Sequence, residues 1–238
     1  MAGGVVKVNS PIQAVKVRRL YLQVAEQLQQ LIDNGSFSVG SRLPAERDLA
    51  GQFAVSRPTI REAMIALEIA GLVEVRSGSG VYVLDRATSA QLPQTQAPGP
   101  FEILEARKLI ESETCALAAR HINAQQLAEL KSLLSAMEGQ EQSVEEAEVI
   151  DEQFHCTIAE ASGNGALSVT VEWLWRLRNE SEISTRFHQR IREEGSRPIV
   201  SDHQRIFAAL ESSDPAAASQ AMSDHLQRVI DSLLDSEE

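Results

Sequence analysis

Residues 55–83, VSRPTIREAMIALEIAGLVEVRSGSGVYV, run a helical pattern straight into a hairpin. Ile60, Ala63, Met64 and Leu67 recur at helical spacing and mark one packing face. Gly71 stands at a helix-stop position. LVEVR then alternates as a strand, SGSG makes a tight turn, and VYVL returns as its partner. Arg57 and Arg61 are four apart and share a second helical face. A helix that only fills a core does not need two arginines in its opening turns.

The residues upstream complete the unit. RLYLQVAEQLQQLIDN at 19–34 carries a helical stripe at positions 20, 24, 25, 28, 31 and 32, stopped by Gly35. A loop with Gly40 and Pro44 leads to a second helix near 45–53. Helix, helix, helix, hairpin is the order of a winged helix-turn-helix, with its core at 19–84. In that arrangement the third helix meets base edges, and Arg can grip guanine O6 and N7 bidentately where Lys cannot. Ser56 is placed to cap this helix and Pro58 fits its first turn. Arg47, at the start of the second helix, comes within reach of a phosphate. Gly78 and Gly80 let the wing backbone approach the sugar-phosphate strand, and Ser79 can donate to it. The competing reading makes Arg57 and Arg61 surface charges paired with Glu62 or Asp48.

Charge divides the chain of 238 residues. Residues 1–90 hold 10 Lys and Arg against 8 Asp and Glu, a balance of +2, whereas the remainder holds 12 against 26, a balance of −14. Only the N-terminal part can approach a phosphate backbone without strong repulsion. Aromatic residues make up only 4%, so Leu, Val, Ile and Ala must pack the core. No apolar run reaches the 18 residues of a membrane span, and the first 20 residues lack a signal peptide's apolar stretch, so a cytoplasmic protein is expected. Cys115 and Cys156 form no CxxC and read as buried thiols.

Residues 85–100, DRATSAQLPQTQAPGP, are polar, hold three prolines and read as a linker between residues 1–84 and 101–238. From Phe101 onward the periodicity is helical, in about six segments that form a bundle. They are separated by Asn123, Gly139, the SGNG around Gly163, Gly195 with Pro198, and SSDP at 212–215. The expected fold is therefore mostly α, a winged head joined to an all-helical body.

Asp151 and His155 in VIDEQFHCTI are at i and i+4, so one helix face presents a carboxylate and an imidazole. His203 and His225 fall on two other helical segments. Asp and His on facing helices are how bundles build metal sites, and this donor set suits Zn²⁺, with Ni²⁺ or Mn²⁺ as alternatives. A lone helical His is more often a satisfied core or surface residue, so spacing alone leaves that reading open. Arg107, between Leu104 and Ile110, is placed to point into the bundle, and Arg178 is a second cation for an anionic ligand. Surface ion pairs, with Glu111 for Arg107, are the alternative. Trp173 and Trp175 read as core or interface aromatics. There is no HExxH, no GxSxG and no Cys–His pairing, which argues against an enzyme.

LPAERDLAGQFAVSRPTIREAMIALEIAGLVEVRSGSGVYV resembles the winged-helix head of the GntR superfamily of bacterial transcription regulators. The resemblance implies that Arg47, Arg57 and Arg61 touch DNA, assisted by Ser56, Thr59 and the wing tip Gly78, Ser79 and Gly80. The body, with EARKLIE, DEQFHCTIAEASGN and two later histidines, resembles the FCD ligand-binding domain of the fatty-acid-regulator (FadR) branch. That implies a divalent metal on Asp151, His155, His203 and His225 and an effector-facing Arg107. His121 and His188 fall outside the pattern and read as surface or pocket-edge residues. Within the branch the sequence is most similar to regulators of hexuronate use. The implied function is a homodimeric repressor on an inverted-repeat operator, released by a sugar acid or another carboxylate such as lactate or gluconate. A metal-dependent enzyme on sugar acids with an incidental winged head is the rival.

Overall fold

The computed structural model describes residues 18–76, 78–85, 91–93, 97–139, 143–193 and 199–235. The N-terminal unit holds α1 (Leu20–Asp33), α2 (Glu46–Phe53), α3 (Arg57–Ile69), β1 (Val73–Arg76) and β2 (Gly80–Val83). The Ser56 hydroxyl accepts from the Thr59 N–H at 3.3 Å and opens α3, with Pro58 in the first turn. At its other end Gly71 takes φ +68° and the Leu72 N–H returns to the Leu67 carbonyl at 3.0 Å, which turns the chain into β1. β1 and β2 pair antiparallel, with Val73 opposite Val83 and Arg76 opposite Gly80. Ile60, Ala63, Met64 and Leu67 pack with Leu28, Leu49, Leu72 and Val83 in the head core.

The body is α4 (Pro100–His121), α5 (Ala124–Met137), α6 (Val144–Ala161), α7 (Gly165–Glu180), α8 (Glu182–Glu193), α9 (Val200–Glu211) and α10 (Pro215–Asp235). The fold is mostly helical, as the sequence indicates. α4 lies at the centre and packs on α6, α7, α9 and α10. Its buried residues run round the helix, from Phe101 and Leu104 through Arg107 and Glu111 to Cys115 and Ala118. A helix enclosed on all sides must satisfy its polar groups internally.

Two details depart from the sequence reading. The body has seven helices among the described residues, because α8 is separate. Its apolar residues Ile183, Phe187 and Ile191 come once per turn among charges, too narrow a stripe to signal a helix. SGNG separates two helices as read: Gly163 takes the left-handed turn, at φ +71°, and Asn164 caps α7 through its side chain. The end of the expected linker is packed: the Tyr21 hydroxyl donates to the Ala97 carbonyl and Ser181 to the Pro98 carbonyl. Part of that linker, and Gly195 with Pro198, lies outside the described residues.

The head rests on the body through α3. One side packs on α1, α2 and β1, and the opposite side packs on α4 and α8. Residues 60 to 67 are consequently all buried, which covers the helix on every face.

Candidate metal centre and nucleic-acid interface

α6, α9 and α10 bring Asp151, His155, His203 and His225 together. One ligand-type atom from each lies within 4.8 Å of the others. Around an ion bonded at about 2.0–2.2 Å, ligand atoms lie about 3–4 Å apart, so the cluster is slightly looser than a coordination sphere. The three rings are no more than 2% exposed. His203 and His225 have ring centroids 4.5 Å apart, and His155 lies 5.7 and 5.3 Å from them.

Two of the three rings are held from the far side by hydrogen bonds. His155 Nδ1 lies 2.5 Å from Glu111 Oε2, and a carboxylate only accepts, so this nitrogen carries the proton. Its Nε2, the nitrogen that bears the lone pair when the ring is a ligand, has no hydrogen-bond partner among the described residues. His203 Nδ1 donates to the Ile199 carbonyl at 3.0 Å, while its Nε2 lies 2.7 Å from Asp151 Oδ1. Both bonds can exist only if the ring is protonated or a cation takes the proton's place. His225 Nδ1 lies 3.4 Å from Asp202 Oδ2 without a hydrogen bond. Glu111 and the Ile199 carbonyl thus orient His155 and His203 from outside the cluster, as metal-bound histidines require.

The electrostatics agree. Burial would raise the Asp151 carboxyl, but the His203 bond and neighbouring rings hold it far below the usual carboxylate range. Burial would lower His203, but its bond to Asp151 raises it. Burial, with His155 and His203 nearby, pushes His225 down to about 3, so its ring is neutral. One acidic oxygen and three imidazoles with a lone pair unused fit a divalent cation.

Sequence reasoning missed Glu111 and Asp202 as parts of this site. Burial acts to raise Glu111, yet Arg107 and His155 hold it at about 2. Arg107 Nε donates to Glu111 Oε1 at 2.6 Å, completing a relay from Arg107 through Glu111 to His155. The i, i+4 spacing of Arg107 and Glu111 was visible, but it also fits a surface pair. Asp202 receives Arg228 at 2.8 Å and Arg205.

Arg107 is 4% exposed, so it points inward. Its guanidinium carbon lies 3.8 Å over the Trp175 ring, and its Nη2 has no hydrogen-bond partner among the described residues. Arg178 lies 5.4 Å over the same ring and pairs with Glu148 at 2.8 Å. Trp175 is fully buried, whereas Trp173 is 51% exposed. His121 is exposed and bonds the Ser162 carbonyl at 2.8 Å. His188 is buried, which removes the surface alternative and leaves the pocket-edge one. Cys115 is buried as read, and Cys156 is half-buried.

On the head, Arg47, Arg57 and Arg61 line one cleft of about 220 Å³ together with Arg42 and Gly80. Arg42 was missed because it precedes the helical pattern. Gly80 sits at φ +111°, and a Cβ there would come 2.3 Å from Arg42 Nε, so only glycine fits. Ser56, Gly78 and Ser79 are exposed and Thr59 is half-buried. Arg61 is only 2% exposed and pairs with Glu46 at 2.8 Å, not with Glu62 or Asp48. Arg57 donates to the Leu234 carbonyl at 2.9 Å, and Arg61 to the Leu233 and Leu234 carbonyls at the end of α10.

The gntR family of bacterial regulatory proteins matches residues 20–83, and the FCD domain matches residues 102–228. The chain is 38% identical over 221 residues to the Exu regulon transcriptional regulator of Escherichia coli (strain K12), covering 91% of this chain and 85% of that protein. It is 35% identical over 216 residues to the Uxu operon regulator of Haemophilus influenzae, covering 90% and 81%. A GntR family transcriptional regulator from Pseudomonas syringae shares the fold with a TM-score of 0.50, at 24% identity over 90% of this chain and 84% of that one. No helix among the described residues is long and apolar enough to cross a membrane. The chain belongs to the gntR family and carries an FCD effector domain: it is a DNA-binding transcription regulator and not an enzyme.

Proposed function

We propose that this protein represses genes of hexuronate breakdown and leaves its operator when a hexuronate binds the body. The observation that carries this reading is the relay from Arg107 through Glu111 to His155, with an unused donor on Arg107 at one end and an unused lone pair on His155 at the other. A bound divalent cation, Zn²⁺ first and Ni²⁺ or Mn²⁺ as alternatives, supplies open coordination positions for carboxylate and hydroxyl oxygens. Asp151, His155, His203 and His225 would hold it. Arg107 would hold the ligand carboxylate, with Arg178 adding charge across Trp175. The Exu and Uxu relatives support the sugar-acid class.

DNA binding is assigned to Arg47, Arg57 and Arg61 for base and phosphate contacts, with Ser56, Thr59 and the Gly78–Ser79–Gly80 wing tip assisting. One short reading helix covers few base pairs, so a two-fold dimer on an inverted repeat fits best. Val169 and Trp173, i and i+4 on α7, are 64% and 51% exposed and suit a face covered by a second copy. A repressor of this kind would work in the cytoplasm, where its operator DNA lies. Isothermal titration of the zinc-loaded protein with D-galacturonate and D-glucuronate tests the effector reading. Binding that vanishes in Arg107→Ala supports it, and equal binding by Arg107→Ala contradicts it.

A further inference from the structure

Among the described residues, five buried side-chain atoms on five different helices of the body have no hydrogen-bond partner. They are Arg107 Nη2, His155 Nε2, Trp175 Nε1, Ser184 Oγ and His225 Nδ1. Native folds leave few such atoms, because each costs stability unless something bonds it. Four of the five lie in one neighbourhood: Trp175 stacks under Arg107 and is 5.4 Å from the His155 ring, which is 5.3 Å from His225. The fifth, Ser184, is fully buried on α8, on the face shared with His188 four residues on. Burial, then Arg178, Arg107 and Arg192, keep the His188 ring well below its ordinary value. His188 is therefore neutral, with one N–H donor and one lone pair, on a helix that packs against α4 of Arg107 and α7 of Arg178.

We infer that Ser184 and His188 read the hydroxyl groups of a polyhydroxy carboxylate and separate it from short monohydroxy acids. The inference rests on the proposed effector reading. Arg107 and the metal-ligand cluster already answer the carboxylate. A neutral hydroxyl and a neutral imidazole are the complement of sugar hydroxyls, and a lactate-sized acid held at Arg107 has no hydroxyls left to meet them.

The test is calorimetric titration of zinc-loaded wild type, Ser184→Ala and His188→Gln with D-galacturonate, D-glucuronate and L-lactate. Each variant should lose about tenfold in hexuronate affinity and leave any lactate affinity unchanged. Ser184→Ala should keep the wild-type melting temperature without ligand, because the hydroxyl it removes has no partner. Hexuronate binding within twofold of wild type in both variants overturns this inference and leaves the effector reading standing. No hexuronate binding by wild type overturns both.

Different contacts carry a second inference. α3 is gripped at three points, each by a helix that also serves the body site. The Glu62 carboxylate accepts the Phe101 N–H at 3.1 Å at the start of α4, the helix of Arg107 and Glu111. Glu68 meets Arg186 and Arg190 of α8 at 3.3 and 3.8 Å. The carbonyl end of α10, the helix of His225, takes Arg57 and Arg61. A reading helix covered in this way cannot enter a major groove. The geometry points to a latch: this is the closed, DNA-excluding arrangement, and α4, α8 and α10 transmit effector binding to α3.

Gly99 offers a test outside both sites. A Cβ there would come 2.1 Å from Glu62 Oε1, and its φ of −76° accepts any residue. Gly99→Ala should therefore expel the Glu62 carboxylate and spare the head fold. In an operator-release assay with D-galacturonate, Gly99→Ala should need about tenfold more acid than wild type, while its calorimetric affinity for the acid falls by no more than the same factor. Glu62→Gln, which keeps the shape and removes the buried charge, should need less. Release of Gly99→Ala at the wild-type concentration overturns the latch.

Discussion

Arg107 joins two otherwise separate groups. Its Nε bonds Glu111, which orients His155, while its face covers Trp175 and its Nη2 remains for a ligand. Glu111→Gln should keep the fold but weaken zinc affinity by about 10–100-fold, measured by competition with a chromogenic chelator. His203→Ala should lose the metal altogether. A pH effect belongs to Glu62. Burial raises its carboxyl to about 7, against the Phe101 N–H that lowers it, with Glu102 and Glu105 nearby adding to the rise. The docked head therefore binds this proton more tightly than the free head. The stability it gives docking is complete below about 4.5 and is lost as pH rises through about 7, about 3 kcal/mol in all. Operator affinity without effector should rise with pH across that window in wild type, beyond any change in Glu62→Gln. A parallel pH course in the two proteins would contradict it. Asp151 and His155 were legible because i, i+4 puts them on one face. Glu111 and Asp202 were not, because their partners lie across the bundle, 44 residues from Glu111 to His155.

The elements were legible where chain-local chemistry decides them. Ser56, Pro58 and Gly71 announce both ends of α3, and SGSG announces the hairpin. Ser56→Ala should cost about 1 kcal/mol in urea denaturation through the lost cap. α8 went unread because only Ile183, Phe187 and Ile191 mark it, and half its buried face is Ser184 and His188. Polar residues that wait for a ligand break the apolar period on which sequence reading depends. The docked face of α3 was equally hidden. Glu62 becomes buried only because the start of α4 covers it, at the Phe101 N–H.

The whole molecule sets a near-neutral head against a body of charge −14. That body would repel DNA, so closure of the head onto it and grip on an operator oppose each other. Trp173→Asp should give monomers in light scattering and lower operator affinity, with helical content unchanged. Most direct is fluorescence anisotropy of a labelled operator held by the protein and titrated with D-galacturonate, before chelation, after metal is stripped, and after zinc is restored. The account predicts release with metal, none or much weaker release without it, and recovery with zinc, all absent in Arg107→Ala. Release indifferent to the metal and to Arg107, or an operator complex that no sugar acid disturbs, would contradict it.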